Sequence, residues 1–278
     1  MAFLAPALLL MVVLRLAPMA GAVGDSLFHY SLSTQSRRWE GLGNYIYLLS
    51  SPEFRQVLAV TALFLVIIVP VQVGLALLVA TLLAERTPGI GAVRTMVFLP
   101  VAAPAAVAAL TWGVAYQPKG VINAVLGWLG LPDQPFLSSS DQALLAIIVI
   151  MSWTGIGYWT MFLVAGLQDI PLELYEAAAI DGAGWWACFR RITLPNLRKT
   201  LAFVVVADTV SSVLSFVPVQ ALTQGGPSGS TRLIMYDLYN RSFALGDTSL
   251  GQAEVVLLLI CLIGVVAVQF RLLSRGEA

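Results

Sequence analysis

Six apolar runs, each close to the length that crosses a bilayer, divide this sequence and leave it few ways to fold. They cover about residues 2–23, 57–84, 92–116, 142–167, 200–222 and 251–270. About 20 apolar residues in a helix match the hydrocarbon thickness. Inside lipid every backbone N–H and C=O must find its partner within the protein, which selects helices. The pattern predicts an all-α membrane protein with six transmembrane helices, read as one domain over residues 1–278. Composition agrees, with 59% of residues hydrophobic and 11% charged, where soluble domains carry roughly 25% charged residues. A formal net charge of zero gives no sign of a nucleic-acid partner. The main partner of this surface is membrane lipid.

Several runs hold helix breakers: Pro70 in the second, Pro100 and Pro104 in the third, Pro218 in the fifth. Within a bundle such prolines are tolerated and kink the helix, which suits a protein that gates. With the N-terminus inside, loops 85–91 and 168–199 and the C-terminal tail are cytoplasmic. They and their flanks carry Arg86, Arg94, Arg190, Arg191, Arg198, Lys199, Arg271 and Arg275 against Glu85, Asp169, Glu173, Glu176, Asp181 and Glu277, a weak positive-inside bias. Both termini are then cytoplasmic. The first run is followed by Ala20-Gly21-Ala22, which resembles a signal-peptide cleavage site, but no basic segment precedes it and Arg15 interrupts it. We read it as a retained helix. Cys188 and Cys261 lie far apart and His29 stands alone in a polar loop, so neither a disulfide nor a metal site is indicated.

An Arg at mid-span opposes insertion by about 2.5–3.5 kcal/mol and calls for a partner. Asp208, the acid deep in the fifth run, stands about 12 Å up its helix against about 18 Å for Arg15, at ~1.5 Å per residue. A buried Arg15–Asp208 pair is one expectation; separate hydration or snorkelling of the two is the other. Asp208 also begins a stripe. Asp208, Ser211, Ser212 and Ser215 fall at i, i+3, i+4 and i+7, one face of a helix that lipid would not accept. That face looks toward a translocation path or toward another helix, where hydroxyls bind helices together. Gln72, Trp112, Trp153, Tyr158 and Trp159 are candidates to line the same path, since sugars stack on aromatic faces and use amide and hydroxyl partners. Interfacial anchoring or core packing accounts for any single aromatic equally well.

Between the fourth and fifth runs the sequence is most specific. Pro171 suits the first turn of a short helix, Glu173 and Glu176 favour its positively polarised end, and Gly182 stops it with a left-handed residue. Leu174, Ala177 and Ala178 make a narrow apolar strip, and Trp185, Trp186 and Phe189 gather beside Arg190 and Arg191 before Pro195 opens the fifth span. Small alanines and exposed aromatics make a docking knob. An amphipathic helix in the headgroup layer fits the same aromatics and arginines.

Glu176-Ala177-Ala178, then Gly182, then Ile192-x-Leu194-Pro195, at this spacing between two late spans, resembles the coupling loop of binding-protein-dependent ABC importer permeases. Phe98-Leu99-Pro100, Gly120-x-x-Asn123-x-x-Leu126, and Leu222-Thr223-Gln224-Gly225-Gly226-Pro227 followed by Thr231, Tyr236, Tyr239 and Phe243 are similar to features of the carbohydrate-type group, that of the maltose and glycerol-phosphate importers. At Val217 and Pro218 the chain departs from the acidic and apolar pair common there. The resemblance implies that 169–199 is a cytoplasmic loop in which Glu173, Glu176, Ala177, Ala178, Asp181, Gly182, Trp185, Trp186, Phe189, Ile192, Leu194 and Pro195 meet a cleft in an ATPase subunit. It further implies a prokaryotic cell membrane, a second and different permease subunit, two ATP-binding cassette subunits and an extracytoplasmic solute-binding protein. The chain has no G-x-x-x-x-G-K-[ST] loop, so ATP and Mg belong to the ATPase partners and this chain is no enzyme. An ion-coupled secondary transporter using Arg15 and Asp208 is the alternative.

Overall fold

The computed structural model describes residues 4–31, 36–84 and 89–274. Glu85, Arg86, Arg275 and Glu277, which entered the charge argument, lie outside the described residues. α1 (Ala5–Met11) and α2 (Ala17–Asp25) are joined by a π-helical turn at Val12–Leu16 into one rod. An antiparallel hairpin of β1 (Phe28–Ser31) and β2 (Ser36–Trp39) follows, with Phe28 opposite Trp39 and His29 opposite Arg38. His29 thus sits in a strand rather than in the loop expected for it. Phe28 meets Trp39 edge to face at 5.0 Å and carries the Arg37 guanidinium over its ring, contacts that hold so short a ribbon together.

α3 (Gly43–Ser50) leads into α4 (Pro52–Ala84), in which Pro70 is carried without a break. α5 (Ile90–Phe98) runs through a 3₁₀ turn at Leu99–Ala102 and stops; α6 (Ala105–Ala115) leaves at 97°. The third span is therefore a bent pair, where the sequence suggested one kinked helix. The reason is local: Pro104 has no N–H to donate and forces Ala103 into an extended conformation (ψ 125°), which no helix continues through. α7 (Val121–Trp128) lies between this pair and α8 (Ala143–Gln168). α9 (Leu172–Ile180) and α10 (Trp185–Cys188) form an elbow, and a π turn at Phe189–Thr193 joins α10 to α11 (Leu194–Val213). The chain breaks at Leu214–Phe216 before α12 (Val217–Leu222), so the fifth span is also interrupted. α13 (Ile234–Tyr239) precedes the last span, α14 (Thr248–Ser274). Five described helices are each long and apolar enough to cross a membrane, and the bent pair makes a sixth.

α4, α8 and α11 form the core, around Phe64, Ile68, Ile147, Leu163, Leu197 and Val204, all fully buried. Lipid tails are as apolar as these side chains, so close van der Waals packing of small residues holds the helices together. Ala76 and Ala80 of α4 are fully buried. A Cβ on Gly157 of α8 would stand 2.4 Å from the Val97 carbonyl oxygen of α5, and one on Gly166 would stand 2.7 Å from Thr200 Oγ1 of α11. α8 is thus wedged among three neighbours with no room for larger residues. The α1–α2 rod lies outside this core, its apolar side chains exposed.

Candidate functional site

Both helix interruptions open onto one cavity of about 450 Å³. Val101, Ala103 and Ala105 line it from the break in the third span, and Leu214, Ser215, Phe216, Val217 and Pro218 from the break in the fifth. Non-helical backbone at membrane depth persists only where protein buries it or where it lines a hydrated cavity, so the two breaks and the cavity explain each other. Gln72 of α4, Thr154, Gly155, Tyr158 and Trp159 of α8, and Asp208, Ser211 and Ser212 of α11 complete the wall.

The polar centre of the cavity is a hydrogen-bonded cluster of Gln72, Trp159, Asp208 and Ser212. Trp159 Nε1 donates to Asp208 Oδ1 at 2.8 Å and to Gln72 Oε1 at 3.2 Å. Ser212 Oγ donates to the same Asp208 oxygen at 3.4 Å. Asp208 Oδ2 is buried with no donor. Gly155 makes the arrangement possible, because a Cβ there would fall 2.4 Å from Gln72 Oε1. Of the residues expected to line a path, Gln72, Tyr158, Trp159, Asp208, Ser211, Ser212 and Ser215 do line this cavity. Ser215 does so from beyond the end of α11, donating to Met151 Sδ at 3.3 Å. Trp153 and Trp112 do not; their rings meet edge to face at 5.9 Å outside it.

Arg15 and Asp208 are not brought together. Arg15 is exposed on the π turn of the first rod, and Asp208, 1% exposed, is bound to Trp159 and Ser212. Comparable height along two helices does not make them neighbours, and the indole N–H of Trp159 gives Asp208 a hydrogen bond without the charge an arginine would bring.

The elbow holds the expected coupling residues in one exposed unit. α9 ends in a Schellman motif: Gly182 takes φ +73°, its N–H bonds Ala179 O at 3.1 Å, and Ala183 N–H bonds Ala178 O at 2.9 Å. Among the described residues nothing lies within 4 Å of a Cβ built on Gly182, so glycine is needed there for its backbone conformation. Trp185 and Phe189 stack at 5.4 Å with 6° between their planes, and Trp186 stacks on both. Ile180 (88%), Trp185 (61%) and Trp186 (64%) are exposed, as are Glu173, Glu176, Ala177 and Asp181. Ala178, Ile192 and Leu194 are half-buried. Tyr175 Oη and Thr193 Oγ1, 2.9 Å apart, fasten α9 to the foot of α11. The π turn ends at Thr193, two residues before Pro195, which has no N–H to donate to the preceding turn.

Sequence reasoning missed a buried charge cluster away from the cavity. Asp237, fully buried, is held by Arg232 and by Arg241 Nη2 at 3.0 Å, and Arg241 Nε stands 3.3 Å from the fully buried Glu254. The i, i+4 spacing of Asp237 and Arg241 was the available signal.

Comparison with known proteins assigns the chain to a family. The family described as "Binding-protein-dependent transport system inner membrane component" matches residues 72–276. The chain is 34% identical over 273 residues to the sn-glycerol-3-phosphate transport system permease protein UgpA of Agrobacterium fabrum, covering 98% of this chain and 93% of that protein. It is also 34% identical to the trehalose/maltose transport system permease protein MalF of Thermococcus litoralis, covering 91% and 85%. A solved bacterial ABC transporter involved in the import of the acidic polysaccharide alginate contains a chain of the same fold, with a TM-score of 0.84 at 22% identity over 100% of this chain and 95% of that one. Helices of spanning length, the interrupted spans around a polar cavity and the exposed elbow are accounted for together: the chain belongs to the multi-pass inner-membrane components of binding-protein-dependent transport systems.

Proposed function

We propose that this chain is one of two permease subunits of an ATP-driven importer for a sugar or sugar-like solute, its path running through the cavity and its elbow docked on a cytoplasmic ATPase subunit. One observation carries this reading: the two helices that the elbow joins, α8 and α11, are the two that bring Trp159 and Asp208 together at the cavity. Trp159 stands about 14 Å along α8 from its elbow end, at ~1.5 Å per residue. A push on the elbow therefore reaches the polar centre through two continuous helices. Swinging an equilibrium between inward-facing and outward-facing forms from 1:99 to 99:1 takes about 5.5 kcal/mol of differential binding, and the elbow is where an ATPase supplies its share.

The resemblance, with the family's description as binding-protein-dependent, supports the remaining parts. They are a second, different permease against the open side of the cavity, two ATP- and Mg-binding subunits, and an extracytoplasmic solute-binding protein on the face opposite the elbow, with both termini cytoplasmic. The names of the relatives span disaccharides and a phosphorylated polyol, which supports the sugar class without choosing within it. The test is purification of the chain with its native partners, reconstitution into vesicles, and uptake of the solute held by the co-purified binding protein. Uptake is expected only with ATP on the elbow side, undiminished by a proton or sodium ionophore. Uptake that proceeds without ATP and collapses with the ionophore selects an ion-coupled secondary transporter.

A further inference from the structure

We propose that Asp208 is a charge filter, the residue that makes this path one for uncharged hydroxyl-bearing solutes and turns anionic ones away. The proposal rests on the cavity being the solute path. Among the described residues that line the cavity there is one carboxylate, Asp208, and no Arg, Lys or His. The carboxylate is fixed on one side only. Oδ1 is taken by Trp159 and Ser212, while Oδ2 has no donor in the chain. A buried carboxylate oxygen without a partner is expensive to leave unmatched; Oδ2 is covered in this conformation, so a solute hydroxyl supplies the missing donor once the wall opens. A phosphate or uronate brings acceptors and negative charge, with no cation on this wall to meet them. At a few ångströms, in a cavity of dielectric below that of water, two like charges repel more strongly than they would in bulk solvent. The Tyr158 and Trp159 rings, packed edge to face at 4.8 Å, add apolar surface of the kind that uncharged sugar rings stack on.

The test reads the charge of the cavity without knowing the solute. Ser211 is exposed and lines the cavity, so Ser211→Cys is introduced with Cys188→Ser and Cys261→Ser into the importer assembled with its native partners. Its rates with cationic trimethylammonium-ethyl and anionic sulfonato-ethyl methanethiosulfonate are each divided by the rates with free mercaptoethanol. The cationic reagent is expected to be favoured by about tenfold or more. Asp208→Asn should bring the ratio near one, and Asp208→Glu, which keeps the charge, should preserve the preference. A ratio near one with Asp208 present, or a preference unchanged in a well-assembled Asp208→Asn importer, overturns the filter while leaving the path in place. A Cys at position 211 that reacts with neither reagent in any nucleotide state overturns the filter and the path together. Should Asp208→Asn fail to assemble, the ratio with Asp208 present still decides, with Trp159→Phe, which keeps the carboxylate, expected to retain the preference.

Discussion

Gly182→Val leaves the chain in the membrane in near-normal amount and lowers solute-stimulated ATPase activity of the assembled importer by tenfold or more. Gly182 adopts φ +73° in the Schellman motif that closes α9. A β-branched residue there is a steric outlier that opposes the motif by roughly 1–2 kcal/mol or more. The motif sets the angle between α9, with Glu176, Ala177 and Ala178, and the aromatic stack of Trp185, Trp186 and Phe189. Tilting one against the other spoils a surface that must fit a partner, and each 1.4 kcal/mol lost from that contact is a factor of ten in binding. Among the described residues no side chain outside the immediate neighbours lies within 4 Å of a Cβ at this position, so the core of α4, α8 and α11 is untouched and insertion is preserved. Gly184→Ser is the control. Gly184 has φ −74° and caps α10, a place where serine is welcome, and its activity should stay within about twofold. Stimulated ATPase activity at the normal level in Gly182→Val would contradict the docking role.

Asp237→Ala has the largest expected effect on stability. It removes the carboxylate that Arg232 and Arg241 share in a fully buried site, with Glu254 left to face Arg241 alone. Breaking a buried ionic network by deleting one member destabilises by about 3–5 kcal/mol, because an uncompensated charge remains in a low-dielectric site. That is much of the 5–15 kcal/mol by which folded proteins typically exceed their unfolded states. The apparent melting midpoint of the purified chain in detergent should fall by roughly 10 °C. The Arg37–Asp25 pair offers a contrast: at 2.6 Å it is short, but its side chains are 52% and 46% exposed. Arg37→Ala should shift the midpoint by no more than about 2 °C, since exposed pairs contribute ~1 kcal/mol or less. Equal shifts in the two variants would contradict a structural role for the cluster.

The spans were legible because hydrocarbon thickness fixes length, and no other feature of a sequence is read by so blunt a ruler. The prolines announced disturbance without its size. Pro70 sits unbroken within α4, while Pro104 turns the chain by 97°. What separates them is the backbone of the preceding residue: Ala103 takes the extended conformation that a residue before proline favours, while Val69 stays within the helix. The elbow was the most legible piece of local structure, since its glycine, prolines and aromatics act through local backbone geometry and short-range stacking. The stripe from Asp208 to Ser215, expected on one helix face, lines the cavity with Ser215 placed beyond the end of α11, and the expected partner of Asp208 is not the one found. The search for an opposite charge favoured Arg15, when adjacency of α8 and α11 supplies the Trp159 indole instead. Phe28, Tyr30 and Trp39 alternate as strand residues do, yet a two-stranded ribbon is too short for that alternation to stand out from a loop.

Ile180, 88% exposed at the tip of the elbow, offers the most direct test of the claim on which the rest depends. In the Cys188→Ser background, Ile180→Cys should cross-link through a short bifunctional maleimide to the co-purified ATPase subunit, with a yield that changes when ATP is added. A membrane-impermeant maleimide should reach it in inside-out vesicles alone. Labelling in right-side-out vesicles, or an assembled, active importer in which no cross-link to the ATPase forms at this position, would contradict the account.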